Sequence, residues 1–208
     1  LAFEETVTSS RIAAALSGMP GIRVIRGFGA PTTVIGILRE DIDARAITLR
    51  ADIDALAIEE ESGLPFASCF PGVMHACGHD AHTASLLGTA KILSQRASLL
   101  RKPVIFLFQP AEEGRGGAKK IVDAGFFEKF PVEGVLGIHF WPQVPFGQMK
   151  TRKGPVTAFS DRIHITVNGI TSHAASPHQG VDPTVIAAHI LISIQDIISR
   201  EKDPHASA

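Results

Sequence analysis

One segment of this sequence determines its fold class: Val104-Ile105-Phe106-Leu107-Phe108-Gln109-Pro110-Ala111-Glu112-Glu113-Gly114. Its first five side chains are apolar, and such an unbroken run predicts a strand that is buried on both faces, as in a parallel sheet. The run then ends abruptly in polar residues. Two other runs have the same form, because residues 46–49 lead into Arg50-Ala51-Asp52-Ile53-Asp54 and residues 135–138 lead into His139-Phe140-Trp141-Pro142.

Helical patterns separate these runs, at about residues 84–95 and 118–127. Strands that alternate with helices predict an α/β fold in which helices sandwich a mostly parallel sheet. In such sheets ligands bind at the carboxyl ends of the strands. The polar clusters that follow the three strands therefore fall where a functional site is expected.

The flanking segments predict the domain organisation. Residues 4–17 predict a helix, and short strands are expected at 22–25 and 34–38. A basic, turn-rich stretch at 150–155 indicates a boundary between a catalytic domain, 1–153, and the start of a smaller α+β lid domain, 154–208. Within the second part we expect a half-exposed strand at 163–168 and an amphipathic helix at 183–199.

That second part is too small to bury a core of its own. We therefore expect the 208-residue chain to end inside the lid domain, with the C-terminal part of the catalytic domain missing from it.

Composition excludes several classes of function. With 20 basic and 21 acidic residues, the net charge of -1 gives no reason to expect a nucleic-acid or anionic-membrane partner. The longest apolar run, residues 185–194, is interrupted by His189 and is too short to span a bilayer. Residues 1–10 do not have the pattern of a secretory signal. Two cysteines do not make a disulfide scaffold, so a reducing cytoplasm is the expected location.

The densest cluster of potential metal ligands is His75-Ala76-Cys77-Gly78-His79-Asp80-Ala81-His82. Thiolate and imidazole are the natural ligands of zinc and related metals. Cys77 and His79 can reach one centre from a looped backbone but not from one face of a helix. Asp80 and His82 would then orient the ligands. The alternative is a buried cysteine with hydrogen-bonded histidines at a helix start.

The adjacent carboxylates Glu112 and Glu113 are the second candidate feature. They repel each other at the end of a buried strand unless a cation offsets the repulsion. One glutamate can then bind a metal while its neighbour acts as general base. Alternatively, both are exposed acids at the start of the next helix. His139, at the end of the third run, is a loop histidine if considered alone, but its place beside the other two clusters favours a ligand role.

Five ordered blocks resemble the metal-dependent amidohydrolases, a family that includes hippurate hydrolase, N-acyl amino-acid deacylases and the plant hydrolases of indole-acetyl-amino acids. The resemblance extends over essentially the whole chain. The blocks are Arg50-Ala-Asp-Ile-Asp-Ala-Leu56, His75-Ala-Cys-Gly-His-Asp80, Gln109-Pro-Ala-Glu-Glu-Gly114, Gly137-Ile-His-Phe-Trp-Pro142 and His173-Ala-Ala-Ser-Pro-His178.

The resemblance implies two divalent metal ions, zinc or manganese, with cobalt or nickel as further possibilities. Cys77 would bridge the ions, and His79, Glu113 and His139 would complete their protein ligands. Glu112 would be the catalytic base. Another histidine ligand comes from beyond the lid domain in this family, so we expect residues 1–208 to be one protein ligand short and to bind metal poorly alone.

Two further residues have implied roles. Asp54 would support the site from its strand end. His173, on the lid, would help to stabilise the oxyanion and could act across a homodimer formed through the lid domain. The family often has glycines just before this histidine, whereas this chain has Thr171-Ser172. The alternative for His173 is a turn histidine without a partner.

We therefore expect a metal-dependent hydrolase that cleaves the amide bond of small N-acyl amino acids, with no nucleic-acid or membrane partner. Two alternatives remain. Cys77 could act as a nucleophile with His79 or His75 as its base, or the chain could be a metal-binding module without turnover. The sequence does not specify the acyl group or the amino acid.

Overall fold

The computed structural model describes residues 1–157 and 163–202 of the chain. These residues form two compact units, 1–143 and 144–208, of which the second includes the segments outside the described residues. The division into a catalytic domain, 1–153, and a lid domain, 154–208, stays a prediction.

A five-stranded sheet forms the centre of the first unit. Its strands are β1 (Ile22–Arg26), β2 (Val34–Leu38), β3 (Ala46–Asp52), β4 (Val104–Gln109) and β5 (Val132–Gly137), in the order β1-β2-β4-β3-β5. β3 pairs in parallel with both β4 and β5, whereas β2 pairs antiparallel with β1 and β4. The predicted α/β fold is confirmed, and the sheet is mixed. Its parallel part consists of the three strands that end in polar clusters.

Helices cover both faces of this sheet. Helices α1 (Thr6–Ser17) and α2 (His79–Gln95) pack on one face, and α3 (Gly117–Asp123) and α4 (Phe126–Lys129) pack on the other. Alternate side chains of a strand point to opposite faces. Phe106 and Phe108 of β4 accordingly join the α1–α2 core, and Ile105 and Leu107 join the core that contains Ile121. β4 is buried along its whole length, as its apolar run predicts.

The structure corrects three expectations in detail. β5 begins earlier than expected and is mostly exposed, with Val135 and Leu136 open to solvent, because no strand among the described residues pairs with its outer edge. The helix expected at 118–127 is two short helices, which Gly125 separates by taking a left-handed conformation, φ 83°. Helix α2 starts at His79, earlier than the apolar pattern indicated.

The second unit has little regular structure before its helix. The strand expected at 163–168 is absent there. Residues 163–169 are irregular, and the nearest pairing in the described part of this unit is a single bridge between Ile170 and Val181. Without a neighbouring strand, the backbone of this segment lacks the ladder that would stabilise an extended conformation. Helix α5 (Pro183–Asp196) begins with Pro183 in the first turn, as expected, and continues into a π-helical turn, Ile197–Glu201.

A search of the described residues found no helix with the length and apolar character needed to cross a bilayer.

The turn between β1 and β2 provides a test of how the sheet contacts α3. Gly27 and Gly29 both have positive φ, 73° and 71°, but a Cβ on Gly29 would lie 2.7 Å from the backbone of α3. A Cβ on Gly27 would make only an ordinary van der Waals contact, 3.9 Å from the carbonyl oxygen of Pro31. Gly27→Ala should cost about 1–2 kcal/mol from the left-handed conformation alone. Gly29→Ala should cost at least ~1–3 kcal/mol more, since the backbone must move.

Urea unfolding of the two variants measures the difference in free energy of unfolding. Equal losses would show that the turn does not pack against α3 in solution.

Candidate metal centre

The centre of the site is His79, the first residue of α2. The preceding Gly78 adopts a left-handed conformation, φ 81°, which turns the chain into the helix. The ring is 1% exposed. Its Nδ1 lies 2.9 Å from the carbonyl oxygen of Asp54 and 3.2 Å from a carboxylate oxygen of that residue. Nδ1–H therefore donates to Asp54, and Nε2 carries the free lone pair.

The Nε2 atom of His79 is buried and has no hydrogen-bond partner among residues 1–157 and 163–202. A buried polar atom without a partner costs about 1–3 kcal/mol. Histidines that bind metals characteristically donate from one ring nitrogen to an oxygen and present the other to the ion. His79 has this arrangement.

The other predicted ligands converge on the same place. Potential ligand atoms of Cys77, His79 and His139 all lie within 4.8 Å of one another, and so do those of His79, Glu112 and Glu113. Cys77 Sγ is 3.4 Å from His139 Nε2, and His79 Nε2 is 3.8 Å from Glu113 Oε1. The loop before α2 and the segments that follow β4 and β5 supply these side chains.

His139 resembles His79 in how its ring is oriented. Its Nδ1–H donates to the carbonyl oxygen of Phe140 at 2.8 Å, which leaves Nε2 facing Cys77. Sulfur, imidazole nitrogen and carboxylate oxygen are together the ligands of zinc and related divalent metals. The residues present therefore fit a divalent metal centre.

The charges around the site favour a cation. Burial alone would raise the pKa of Asp54, but the hydrogen bond from His79 and the backbone N–H groups of Glu113 and Glu112 hold it below its ordinary value. Burial alone would lower the pKa of His79, but Asp54 and the charge of Asp52 outweigh burial and raise it. With Glu112 and Glu113, four carboxyl groups surround one imidazole.

These charges also bear on the cysteine-nucleophile alternative. Burial, followed by the hydrogen bond and charge of Glu113, raises the pKa of Cys77 to about 11. A catalytic cysteine needs positive surroundings that lower its thiol pKa. Cys77 has the opposite surroundings, which disfavours it as a nucleophile.

His82, which we expected to orient the ligands, belongs to a network that also contains Asp52, a residue for which we predicted no role. Asp52, at the end of β3, is 2% exposed. Its carboxylate accepts a hydrogen bond from His82 Nδ1 at 2.6 Å and forms a salt bridge with Arg50 at 2.9 Å. The N–H of Phe140 donates to His82 Nε2 at 2.9 Å, and the two rings stack. His82 thus connects the end of β3 to the residue after His139. The pattern Asp52-Ile53-Asp54 was the available indication of a second supporting carboxylate.

The remaining predicted residues have different surroundings. Glu112 is exposed beside the ligand group, as a general base must be to reach substrate, and Asp54 contacts His79 rather than open solvent. Asp80 is exposed on α2 and does not orient a ligand in the structure. His173 lies in the second unit, where Ala175 N–H donates to its Nδ1 at 3.1 Å. This contact leaves Nε2 as the ring nitrogen that can donate.

Comparison with known proteins agrees with this geometry. The family model described as peptidase family M20/M25/M40 matches residues 48–206, which is most of the chain. This chain belongs to the M20/M25/M40 family. The matched range contains every predicted metal ligand of the chain and also His173.

The names of its relatives indicate several different activities. The chain is 42% identical over 206 residues to thermostable carboxypeptidase 2 of Saccharolobus solfataricus, covering 98% of this chain and 52% of that one. It is 42% identical to N-acetyl-L-cysteine deacetylase of Bacillus subtilis, covering 88% and 44%. It is 42% identical to IAA-amino acid hydrolase ILR1-like 4 of Arabidopsis thaliana, covering 98% and 45%. The chain spans about half the length of these curated relatives.

Solved structures support the fold. A putative aminohydrolase from methicillin-resistant Staphylococcus aureus matches with a TM-score of 0.81 at 32% identity, covering 100% of this chain and 54% of that one. A Bacillus subtilis protein described as a dinuclear metal-binding peptidase of the M20 family matches with a TM-score of 0.69 at 42% identity, covering 74% and 42%.

The two hydrogen bonds of His82 can be separated by substitution. An Asn side chain places its amide near Nδ1 and keeps the donor to Asp52, whereas Gln reaches the position of Nε2 and keeps the acceptor for Phe140. His82→Asn should weaken metal binding about 10–100-fold because His139 loses its anchor. His82→Gln should weaken it less.

Competition with a chromophoric chelator measures the two affinities. If His82→Gln binds metal as weakly as His82→Asn does, or more weakly, then the hydrogen bond from Phe140 to His82 does not support metal binding.

Proposed function

We propose that this chain carries the metal-binding and general-base residues of a metal-dependent amidohydrolase that acts on N-acyl amino acids. The proposal rests on the buried Nε2 of His79, which has no hydrogen-bond partner in the described part of the chain. Asp54 holds the other ring nitrogen, and Cys77, Glu113 and His139 lie around the ring. Two relatives, one named as an N-acetyl-L-cysteine deacetylase and the other as an IAA-amino acid hydrolase, support this substrate class.

The proposed ligands are Cys77, His79, Glu113 and His139. Divalent ions held there would polarise the amide carbonyl and lower the pKa of a water molecule to about 7. A pair of ions is supported by the relative described as dinuclear. The mixed sulfur, nitrogen and oxygen ligands suit zinc, with manganese, cobalt or nickel as the other candidates.

Glu112 is proposed as the proton carrier. It is exposed beside the ligands, whereas Glu113 is only partly exposed, and so Glu112 is free to face the substrate. Its carboxylate takes a proton from the attacking water as the C–O bond forms. It then gives that proton to the amide nitrogen as the C–N bond breaks. The second proton of the water also ends on the amine at neutral pH, so the products are a carboxylate and an ammonium group.

His173 is proposed as the oxyanion donor. Because Nδ1 accepts a hydrogen bond from Ala175, the proton on Nε2 is available for donation. Such a donor contributes when it faces the oxygen that becomes negative in the transition state.

The proposal extends to the assembly and the location of the whole protein. We infer a homodimer formed through the second unit and a cytoplasmic location, the latter because both cysteines are free thiols. Analytical ultracentrifugation tests the first inference and cell fractionation tests the second.

The roles of the two glutamates predict different consequences of substitution. Glu112→Gln should keep the bound metal and lower kcat about 10²–10⁴-fold, since the variant lacks the proton acceptor. Glu113→Gln should lower metal content instead, because a ligand loses its charge. Elemental analysis combined with turnover of a panel of N-acyl amino acids measures both effects. The role assignment is wrong if the two variants retain the same amount of metal.

Chelation separates the metal enzyme from a cysteine hydrolase. Dialysis against a strong chelator should abolish turnover, and added zinc or manganese should restore it. A hydrolase that uses Cys77 as nucleophile would keep its activity without metal and lose it to a thiol-alkylating reagent. A module without turnover would bind metal and release no amine from any substrate in the panel.

A further inference from the structure

Glu5 is a buried carboxylate far in sequence from the proposed site. It immediately precedes α1 and is 5% exposed, and it does not cap that helix with its own side chain. It also lies outside the residues 48–206 that the family model matches. An acid at this position of a helix is usually exposed and interacts with the helix dipole. A buried one requires another explanation, because removing a carboxylate from water costs several kcal/mol.

The hydrogen bonds of Glu5 provide that explanation. Oε1 accepts from the backbone N–H of Ala111 at 3.0 Å and from that of Phe3 at 3.0 Å. Oε2 accepts from the hydroxyl of Thr32 at 2.5 Å. The side chain thus joins the amino-terminal segment, the β1–β2 turn and the loop after β4. The contact with Ala111 spans 106 residues of sequence.

Ala111 is an unusual residue to find in this loop. It is completely buried and adopts a left-handed conformation with φ 55°. That conformation costs a residue with a Cβ roughly 1–2 kcal/mol and persists where surrounding contacts impose it. The carbonyl of Ala111 also accepts from Gly117 N–H at 3.0 Å. A Cβ on Gly117 would lie 1.7 Å from the carbonyl oxygen of Pro110, so the loop is closed tightly on itself.

The residues that follow Ala111 are Glu112 and Glu113. The direction in which both side chains leave the loop depends on the dihedral angles of Ala111. From the other side, Glu113 N–H donates to Asp54 at 3.0 Å. Two hydrogen bonds therefore hold the backbone around Glu112: Ala111 N–H donates to Glu5 before it, and Glu113 N–H donates to Asp54 after it.

We propose that Glu5 is a positioning residue for Glu112 and Glu113. By accepting from Ala111 N–H it holds the left-handed turn that aims the proton carrier and the metal ligand at the site. The catalytic and metal-binding roles of Glu112 and Glu113 rest on the proposed function. The geometry of the loop does not depend on it.

Two conservative variants separate this role from a helix-dipole role. Glu5→Gln keeps the length and an acceptor oxygen for both N–H groups, and the Thr32 hydroxyl can rotate to accept from the new amide. Glu5→Asp keeps the negative charge but is one methylene too short to reach Ala111. Positioning predicts that Asp impairs the enzyme and Gln does not. A helix-dipole role predicts the opposite order.

The first measurement needs neither metal nor substrate. Hydrogen exchange of the metal-free protein, followed by mass spectrometry of the peptide that contains residues 110–117, reports the protection of the Ala111 amide. We expect faster exchange in Glu5→Asp and unchanged exchange in Glu5→Gln. Ile12→Val is the control, since it removes a buried methylene from α1 without touching the loop. It should leave this peptide unchanged.

The second measurement is steady-state turnover of N-acyl amino acids by the metal-loaded protein. We expect kcat of Glu5→Asp to fall about 10–100-fold, as for other residues that orient catalytic groups, with little change in KM. Glu5→Gln and Ile12→Val should stay within about threefold of the unsubstituted protein.

The proposal is overturned if Glu5→Asp leaves the exchange of the loop peptide unchanged, or if Ile12→Val lowers kcat as much as Glu5→Asp does. It is also overturned if Gln is impaired and Asp is not. Absence of turnover in the unsubstituted protein at its full natural length would instead contradict the proposed function, and the exchange experiment would still decide the role of Glu5.

Discussion

The contact between His79 and Asp54 is the interaction on which the candidate site depends. Two carboxylates, Asp52 and Asp54, are almost fully buried within reach of the same imidazole. Buried negative charge is expensive unless cations or hydrogen-bond donors compensate it. Asp54 accepts from His79 Nδ1–H, and Nε2 has no hydrogen-bond partner among the described residues. The negative groups and the free lone pair together make a place where a divalent cation is stabilising.

The sheet explains why these groups meet. β3, β4 and β5 are the parallel strands, so their carboxyl ends lie at one edge. The register places Asp52 opposite Gln109 and Arg50 opposite Gly137. Arg50 donates to Gln109 and to Asp52, and these hydrogen bonds connect the carboxyl ends of β3 and β4. The antiparallel strands β1 and β2 extend the apolar core on the other side and bring Thr32 near the loop after β4.

Several energetically unfavourable features lie near this edge. The left-handed Ala111, the unpartnered Nε2 of His79 and the buried carboxylate of Glu5 each cost stability. The apolar cores on the two faces of β4 offset them. Such local departures from favourable conformation are expected where a protein holds reactive groups in place. The supporting contacts come from residues 5, 52, 54 and 82, which belong to three different segments of the chain: the residue before α1, the end of β3 and helix α2.

The amino-acid sequence by itself determined the α/β class, the three strand ends and the candidate ligands, because apolar runs and clustered ligand-type residues are local patterns. It also indicated Glu112 and Glu113 as a pair that requires a cation. It did not determine that β5 is an exposed edge, that residues 163–169 are irregular, or that Asp52 and His82 connect β3 to Phe140. Those features depend on which segments become neighbours. Glu5 is the clearest case, since a glutamate before a helix has the same local pattern whether it faces water or Ala111. Only the folded chain, by bringing a residue 106 positions away within 3.0 Å, decided between the two.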